Sequence, residues 1–176
     1  NKLINALFHS SSGGMTENSQ DVWKNKYSYL SSVKDFDKNN PKFRWQKKFS
    51  SNELTNLFPK IGGLRNIEIL DITSTGRVKN VKLIGAYGSD QMSGVDLRKR
   101  LSLNSNFMRF KFFEEEINYK FPKKKGLIVF GQGSGHGVGM SQWGAKYMAS
   151  RGQKAGKILK HFYRGVQIKP FRKDYI

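Results

Sequence analysis

Alternation of apolar and polar positions predicts a series of short strands along this chain. Leu3–Phe8 and Tyr27–Val33 read as the first two. Phe43, Trp45 and Phe49 mark a third, with Lys47 breaking its pattern. Arg65–Thr75 and Val78–Tyr87 are β-rich runs joined through Ser74-Thr75-Gly76-Arg77, a hairpin signature. In the first run Ile67, Ile69 and Asp71 share one face, and Leu70 and Ile72 the other. Phe107–Glu116 is a strand of aromatics closed by three glutamates that read as a solvated run; Asn118–Lys125 is a basic turn, and Val166–Ile168 a closing strand. Helices interrupt these. Ser50-Ser51-Asn52-Glu53 forms a capping box ahead of Leu54, Leu57 and Phe58, with Pro59 as the stop. Ser93 caps a helix carrying Val95, Leu97, Leu101 and Leu103. Ser141–Ser150 and Lys154–Tyr163 are two more, with Gly152 ending the first and Ile158, Leu159, Phe162 and Tyr163 as the stripe of the second. The pattern is α+β, with mostly antiparallel strands and three or four short helices in a single domain over 1–176.

One stretch fits neither period. Glycine occupies every second position from Gly131 to Gly139, and His136 sits inside the run. If the segment is extended, one face is bare backbone and the other carries Gln132, Ser134, His136, Val138 and Met140. A bare face admits a strand or a ligand at close range. Ser141 then caps the helix that starts near Gln142. This glycine-rich loop is expected at a substrate groove. A second loop, His9 to Asp21, is rich in Ser, Gly and Asn and offers hydroxyls and backbone groups to a ligand.

Charge adds a partner class. With 32 Lys and Arg against 13 Asp and Glu, the net charge is +19, which suits an anionic polymer, an anionic surface or nucleic acid. The cations are spread, with short clusters at Arg98-Lys99-Arg100, Lys123-Lys124-Lys125 and Arg172-Lys173. No recognised nucleic-acid motif accompanies them. The absence of cysteine excludes disulfides and thiol chemistry.

Catalytic patterns are few. The dinucleotide fingerprint fails in every register of the ladder, and Gly139 to Gly144 has P-loop spacing with Ala145 where the lysine belongs. No serine sits in a nucleophile elbow. His9, His136 and His161 form no metal-binding pair, so neither a metal nor another cofactor is expected. His161 lies beside an apolar stripe and reads as structural. Glu17 is the carboxylate inside the early loop, either as a structural or orienting group or as a ligand contact. The chain thus combines a good binding surface with a thin catalytic set.

The run Phe130 to Ala145 closely resembles the signature of the stage II sporulation protein D family, peptidoglycan lytic transglycosylases with amidase-enhancer relatives. The resemblance continues through Met148-Ala149, Gly152 and Ile158–Ile168. It includes Phe8-His9-Ser10-Ser11-Ser12-Gly13-Gly14, Thr16-Glu17-Asn18, Val22-Trp23, Leu97-Arg98, Leu101 and Leu103-Asn104-Ser105. It implies cleavage of denuded glycan between N-acetylmuramic acid and N-acetylglucosamine, without water, leaving 1,6-anhydro ends. The family's general-acid glutamate lies in a motif of the type E-A-L-K-A-Q-A, which does not occur here. The chain therefore resembles a C-terminal portion of the family domain, with no catalytic residue of its own and the acid expected upstream of Asn1.

On this reading His9, Ser10, Ser11, Ser12, Thr16 and Glu17 form one wall of a glycan groove, and Gln132, Ser134, His136, Ser141 and Gln142 the other. Tyr87 or Trp143 would stack on sugar rings. Core packing is the competing role for each of these residues. The partners implied are peptidoglycan glycan strands and a peptidoglycan amidase, without nucleic acid. The implied setting is extracytoplasmic, at the wall of a Gram-positive spore-former, with membrane attachment through an anchor outside this chain. The alternative is a non-catalytic wall-binding or amidase-enhancing module.

Overall fold

Residues 3–23, 25–115 and 124–170 are described in the computed structural model. In chain order the elements are β1 (Phe8–His9), α1 (Ser19–Val22), β2 (Arg44–Phe49), α2 (Ser51–Leu57), β3 (Asn66–Ile72), β4 (Val78–Ile84) and β5 (Ser89–Ser93). There follow α3 (Gly94–Arg100), β6 (Met108–Glu115), β7 (Lys124–Gln132), β8 (Met140–Ser141), α4 (Gln142–Ser150) and α5 (Ala155–Phe162). The fold is α+β with antiparallel sheets, as the periodicities predict. Arg44–Gly133 forms one compact unit, and the segments up to Phe43 and from Ser134 form another.

The unit Arg44–Gly133 holds two antiparallel three-stranded sheets, ordered β2-β7-β6 and β3-β4-β5. Phe49, Val81, Leu83, Leu97, Leu127 and Val129 lie in its core. Two sequence features of β7 explain how its neighbours seat. A side chain at Gly131 would collide with the Trp45 ring, and one at Gly126 with the Phe113 ring. Each glycine is the floor under an aromatic from an adjacent strand, on opposite faces of the sheet.

Helix α2 begins as its sequence demands. Ser50 Oγ accepts from Glu53 N–H, and Glu53 Oε2 accepts from Ser50 N–H at 2.7 Å. Ser93 caps α3 through Asp96 N–H. The other unit gathers Leu30, Val33, Val138, Met148, Ile158, Phe162 and Tyr163 around α4 and α5. After α4, Gly152 takes φ +79° and Gln153 N–H returns to Met148 O, a Schellman-type stop.

Several local expectations give way to particular competitors. The strand over Leu3–Phe8 shrinks to two residues, because Leu7 N–H turns back to Asn5 O at 2.9 Å. Tyr27–Val33 forms a 3₁₀ turn at Ser28–Leu30 instead of a strand, closed by Leu30 N–H to Tyr27 O. Lys47 does not break β2. Its ammonium reaches Leu101 O at 2.9 Å and Ser102 O at 3.3 Å, where it satisfies the carbonyls that end α3. The two-face reading of β3 fails at Leu70, where a bulge shifts the register between Ile69 and Asp71.

Glu115 is not solvated: it accepts from Ser51 N–H and Ser51 Oγ at the start of α2. Val166–Ile168 joins no strand. Glu116, most of the basic turn over 118–125, Lys123 and Arg172-Lys173 lie outside the described residues.

Candidate functional site

The two loops singled out from the sequence fold against each other. β1 and β8 pair in parallel, Phe8 with Met140 and His9 with Ser141. Ser11 and Ser134 exchange backbone hydrogen bonds of 3.0 and 2.7 Å, and Glu17 N–H donates to Gly137 O at 2.7 Å. These bonds bring the early loop and the glycine ladder into register although more than 100 residues separate them.

The ladder is not an extended strand with a bare face. Beyond Gln132 its glycines turn left-handed, at φ +74° for Gly133, +111° for Gly135, +83° for Gly137 and +75° for Gly139. The alternation therefore specifies a winding backbone that L-residues enter at a cost of roughly 1–2 kcal/mol each. Close approach adds a second demand. A Cβ at Gly135 would lie 2.8 Å from His9 Cβ, and one at Gly139 would overlap the Leu7 carbonyl oxygen.

Beneath this surface sits a set of carboxylates that the sequence pattern did not reveal. Ser11 Oγ donates to Asp37 Oδ2 at 2.5 Å, and Gly13 N–H donates to the same oxygen at 2.8 Å. Ser12 Oγ donates to Asp35 Oδ2 at 2.6 Å, and Asp35 N–H returns to Gly14 O. Burial pushes the Asp35 carboxyl above its ordinary range, and the charge of Asp37 adds to this. Hydrogen bonds from Ser12, Ser141 and Phe36 N–H oppose the rise. Gly144 must lack a side chain because the Asp35 carboxylate fills that space. The one sequence signal for this pair was the close spacing of Asp35 and Asp37; Phe36 between them stacks on Tyr147 of α4, the helix whose Gly144 makes room for Asp35.

The imidazoles are also held by main chain. Val138 N–H donates to His136 Nδ1 at 3.1 Å, so the ring proton of the neutral form is on Nε2, which donates to Phe8 O at 3.1 Å. Both nitrogens thus brace the ladder against β1. His9 is buried, and its Nδ1–H donates to Val138 O at 3.1 Å. The two rings lie 5.4 Å apart, and the Trp23 ring lies 5.2 Å from that of His136. Trp23 keeps 38% of its surface exposed, so His136 lies beside accessible aromatic surface; Phe8, 58% exposed, adjoins it through its carbonyl.

The remaining predicted site residues divide by burial. Ser11, Ser12, Thr16, Glu17 and Ser141 are buried. Thr16 Oγ1 accepts from Val33 N–H, Glu17 Oε1 from Asn18 N–H, and Ser141 Oγ from Gly144 N–H as the cap of α4. Ser10, Ser134 and His136 are half-buried and Gln142 is exposed. Ser10 O accepts from Trp143 N–H, and Lys146 Nζ stands 4.7 Å over the Trp143 ring. Gln132 ends β7 in the other unit, where its carbonyl accepts from Ser105 Oγ. Tyr87 also belongs to that unit, exposed above Gly62. His161 serves structure, with Nε2 2.8 Å from Lys34 O and its ring edge-on to Phe162. Among the described residues no group of three or more His, Asp or Glu is placed to hold a metal ion. No described helix is long and apolar enough to cross a membrane.

Comparison with known proteins matches residues 14–139 to the family described as "Domain of unknown function (DUF8618)". Stage II sporulation protein D of Bacillus subtilis is 34% identical over 96% of this chain and 46% of its own length. The protein of that name from Bacillus amyloliquefaciens is also 34% identical, over the same shares. The amidase enhancer of Bacillus subtilis is 26% identical over 94% of the chain and 30% of its own length. The chain spans about half the length of the stage II sporulation proteins it matches. With the ladder and the early loop built as one structure, the chain belongs to the family of unknown function DUF8618 and to the stage II sporulation protein D family.

Proposed function

We propose that this chain is the glycan-binding platform of a sporulation protein that cleaves peptidoglycan strands at the cell wall. The observation that carries the reading is the mutual locking of the early loop and the glycine ladder through β1–β8, Ser11–Ser134 and Glu17–Gly137. These are the stretches on which the family resemblance rests, and they place Trp23, Phe8 and His136 on an accessible surface. Aromatic surface beside polar groups suits a sugar ring, which presents C–H bonds on its faces and hydroxyls at its rim. Ser10, Ser134 and Gln142, which retain exposure, would meet those hydroxyls. Ser11, Ser12, Thr16, Glu17 and Ser141 hold the platform from within.

The chemistry is proposed as a non-hydrolytic transglycosylation. A carboxylic acid protonates the glycosidic oxygen as the bond to the muramyl C1 breaks. The same group, now a base, takes the proton of the muramyl 6-hydroxyl, whose oxygen closes on C1. Glu17, Asp35 and Asp37 are buried and their oxygens accept hydrogen bonds within the scaffold. Because the family's general acid belongs to a motif that this sequence lacks, the proton is assigned to a carboxyl of the intact protein outside this chain. The proposed setting is extracytoplasmic, at the wall of a Gram-positive spore-former, with the membrane anchor also outside this chain.

The test is incubation of denuded glycan strands with the intact protein and, separately, with this chain. Mass spectrometry of the products should find 1,6-anhydro ends from the intact protein alone, with binding by both. Reducing ends, or binding without any cleavage by the intact protein, would overturn the transglycosylase reading. The buried state of all three carboxylates and the amidase-enhancer relative favour one second reading, a stimulating module. An added peptidoglycan amidase would then act faster with this chain present, and no anhydro ends would form.

A further inference from the structure

The outer face of the β2-β7-β6 sheet carries a charge pattern that the linear sequence hides. Cross-strand partners in an antiparallel sheet share a face. Register therefore groups Gln46, Phe130 and Arg109 in one row, and Lys48, Ile128 and Lys111 in the next. Arg44 stands beyond the first row, opposite Gln132, and Phe113 beyond the second, over Gly126. The opposite face, with Phe49, Leu127 and Val129, is the core. On the outer face Arg44, Lys48, Arg109 and Lys111 are all exposed, and Phe130 keeps 40% of its surface.

The result is two rails of cations, one on β2 and one on β6, separated by the width of two strand spacings, about 10 Å. Between them runs an apolar spine of Phe130 and Ile128, and Lys48 Nζ lies 4.5 Å over the Phe113 ring. Among the described residues none of the four cations is paired with a carboxylate, and Glu115, at the end of β6, is engaged with Ser51. Cations gathered on one face repel one another, and the exposed apolar surface between them is poorly solvated, so the pattern suits an occupant of opposite charge with apolar surface of its own.

We infer that this sheet face binds a denuded glycan strand, with sugar faces on the Phe130–Ile128 spine and lactyl carboxylates on the flanking rails. Gln46, level with Phe130, offers its amide to hydroxyl or N-acetyl groups. A plain phosphodiester polymer would use the rails and leave the spine uncovered. Single-stranded nucleic acid would need successive aromatic platforms, and the face exposes one. The inference rests on the proposed glycan reading for its choice of anion, but it concerns a holding surface and no bond cleavage.

The test compares wild type with three variants of the intact protein. One has Arg44, Lys48, Arg109 and Lys111 changed to Gln; a matched control has Lys38, Lys60, Arg65 and Lys99 changed to Gln, removing the same charge elsewhere. In the third, R44K with R109K retains the charge on the face. Co-sedimentation is measured with denuded strands, with denuded strands whose lactyl carboxylates are capped as neutral methylamides, with a teichoic acid and with single-stranded DNA. The face variant should lose about tenfold or more in affinity for denuded strands. The control and the Lys variant should stay near wild type. Capped strands should bind wild type more weakly than uncapped ones. Equal losses in the face variant and the control would reduce the effect to net charge and overturn the inference. So would equal binding of the two glycans, or stronger, face-dependent binding of teichoic acid or DNA. Anhydro-end formation on short soluble oligosaccharides is read in parallel. Loss of face binding with cleavage intact in the face variant supports the inference and leaves the transglycosylase reading standing, whereas absent cleavage with face binding intact in wild type counts against the transglycosylase alone.

Discussion

Gly139 and Gly152 share nearly the same left-handed backbone, φ +75° and +79°, but differ in what surrounds them. An added methyl at Gly152 meets nothing within 4 Å, whereas at Gly139 it would overlap Leu7 O and come within 3.4 Å of Tyr163 Cε1. Alanine at either position carries the left-handed penalty of roughly 1–2 kcal/mol. At Gly139 the Leu7 carbonyl must also move. That carbonyl accepts from Met140 N–H at 3.0 Å and from Tyr163 Oη–H at 2.7 Å. Losing both bonds adds about 1 kcal/mol each, and more if the buried groups find no other partner. Gly139→Ala should therefore destabilise by about 3–5 kcal/mol and Gly152→Ala by about 1–2 kcal/mol. In thermal unfolding the two midpoints should differ by roughly 4–8 °C. Amide exchange near His9 and Met140 should accelerate in the first variant alone. Equal destabilisation within about 1 kcal/mol, or protected β1–β8 amides in Gly139→Ala, would refute the argument that close approach fixes this glycine.

Three further outcomes follow from the same unit. Asp37→Ala removes the acceptor shared by Ser11 Oγ and Gly13 N–H and should cost about 3 kcal/mol in urea unfolding, and in a double-mutant cycle Ser11→Ala should add little to it. The Asp35 carboxyl titrates above its ordinary value of 3.8 in the folded state because it is buried beside Asp37, so the protonated form stabilises the fold. That contribution is complete below the unfolded value and is lost as pH rises through the folded one. The stability of Asp35→Asn relative to wild type should therefore improve with pH across that window, and an opposite slope would reject the assignment. Long-range nitrogen–proton NMR should find neutral His136 protonated on Nε2, and His136→Ala should cost about 1–3 kcal/mol because Phe8 O and Val138 N–H lose their partner. A proton on Nδ1 would contradict the bracing role.

What could be read from the sequence was what lies close along the chain. The caps at Ser50, Ser93 and Ser141 depend on a side chain reaching an N–H three residues away, and each is present. The glycine ladder was legible as a singularity but not as a shape. Alternating glycine is compatible with an extended strand and with repeated left-handed turns, because glycine pays no steric penalty in either. Only the partner carbonyls of Leu7 and Ser11 select between them. Lys47 is the same problem in reverse. As a local pattern a lysine at an inward strand position is an interruption, yet the exposed carbonyls at the end of α3 turn it into a cap. The buried pair Asp35 and Asp37 and the cationic face of β2-β7-β6 share this long-range origin. The face depends on a register in which Lys48 stands opposite Ile128 and Lys111, and Gln46 opposite Phe130 and Arg109. A slip of one residue in β2 would send Arg44 and Lys48 into the core and Trp45 and Phe49 out to water, with the burial of both aromatics lost. The apolar inner face thus fixes the cation pattern of the outer one. Charge placement on this surface is therefore set by folding energetics, while its composition, Arg and Lys beside Phe and Gln, is left for binding to explain.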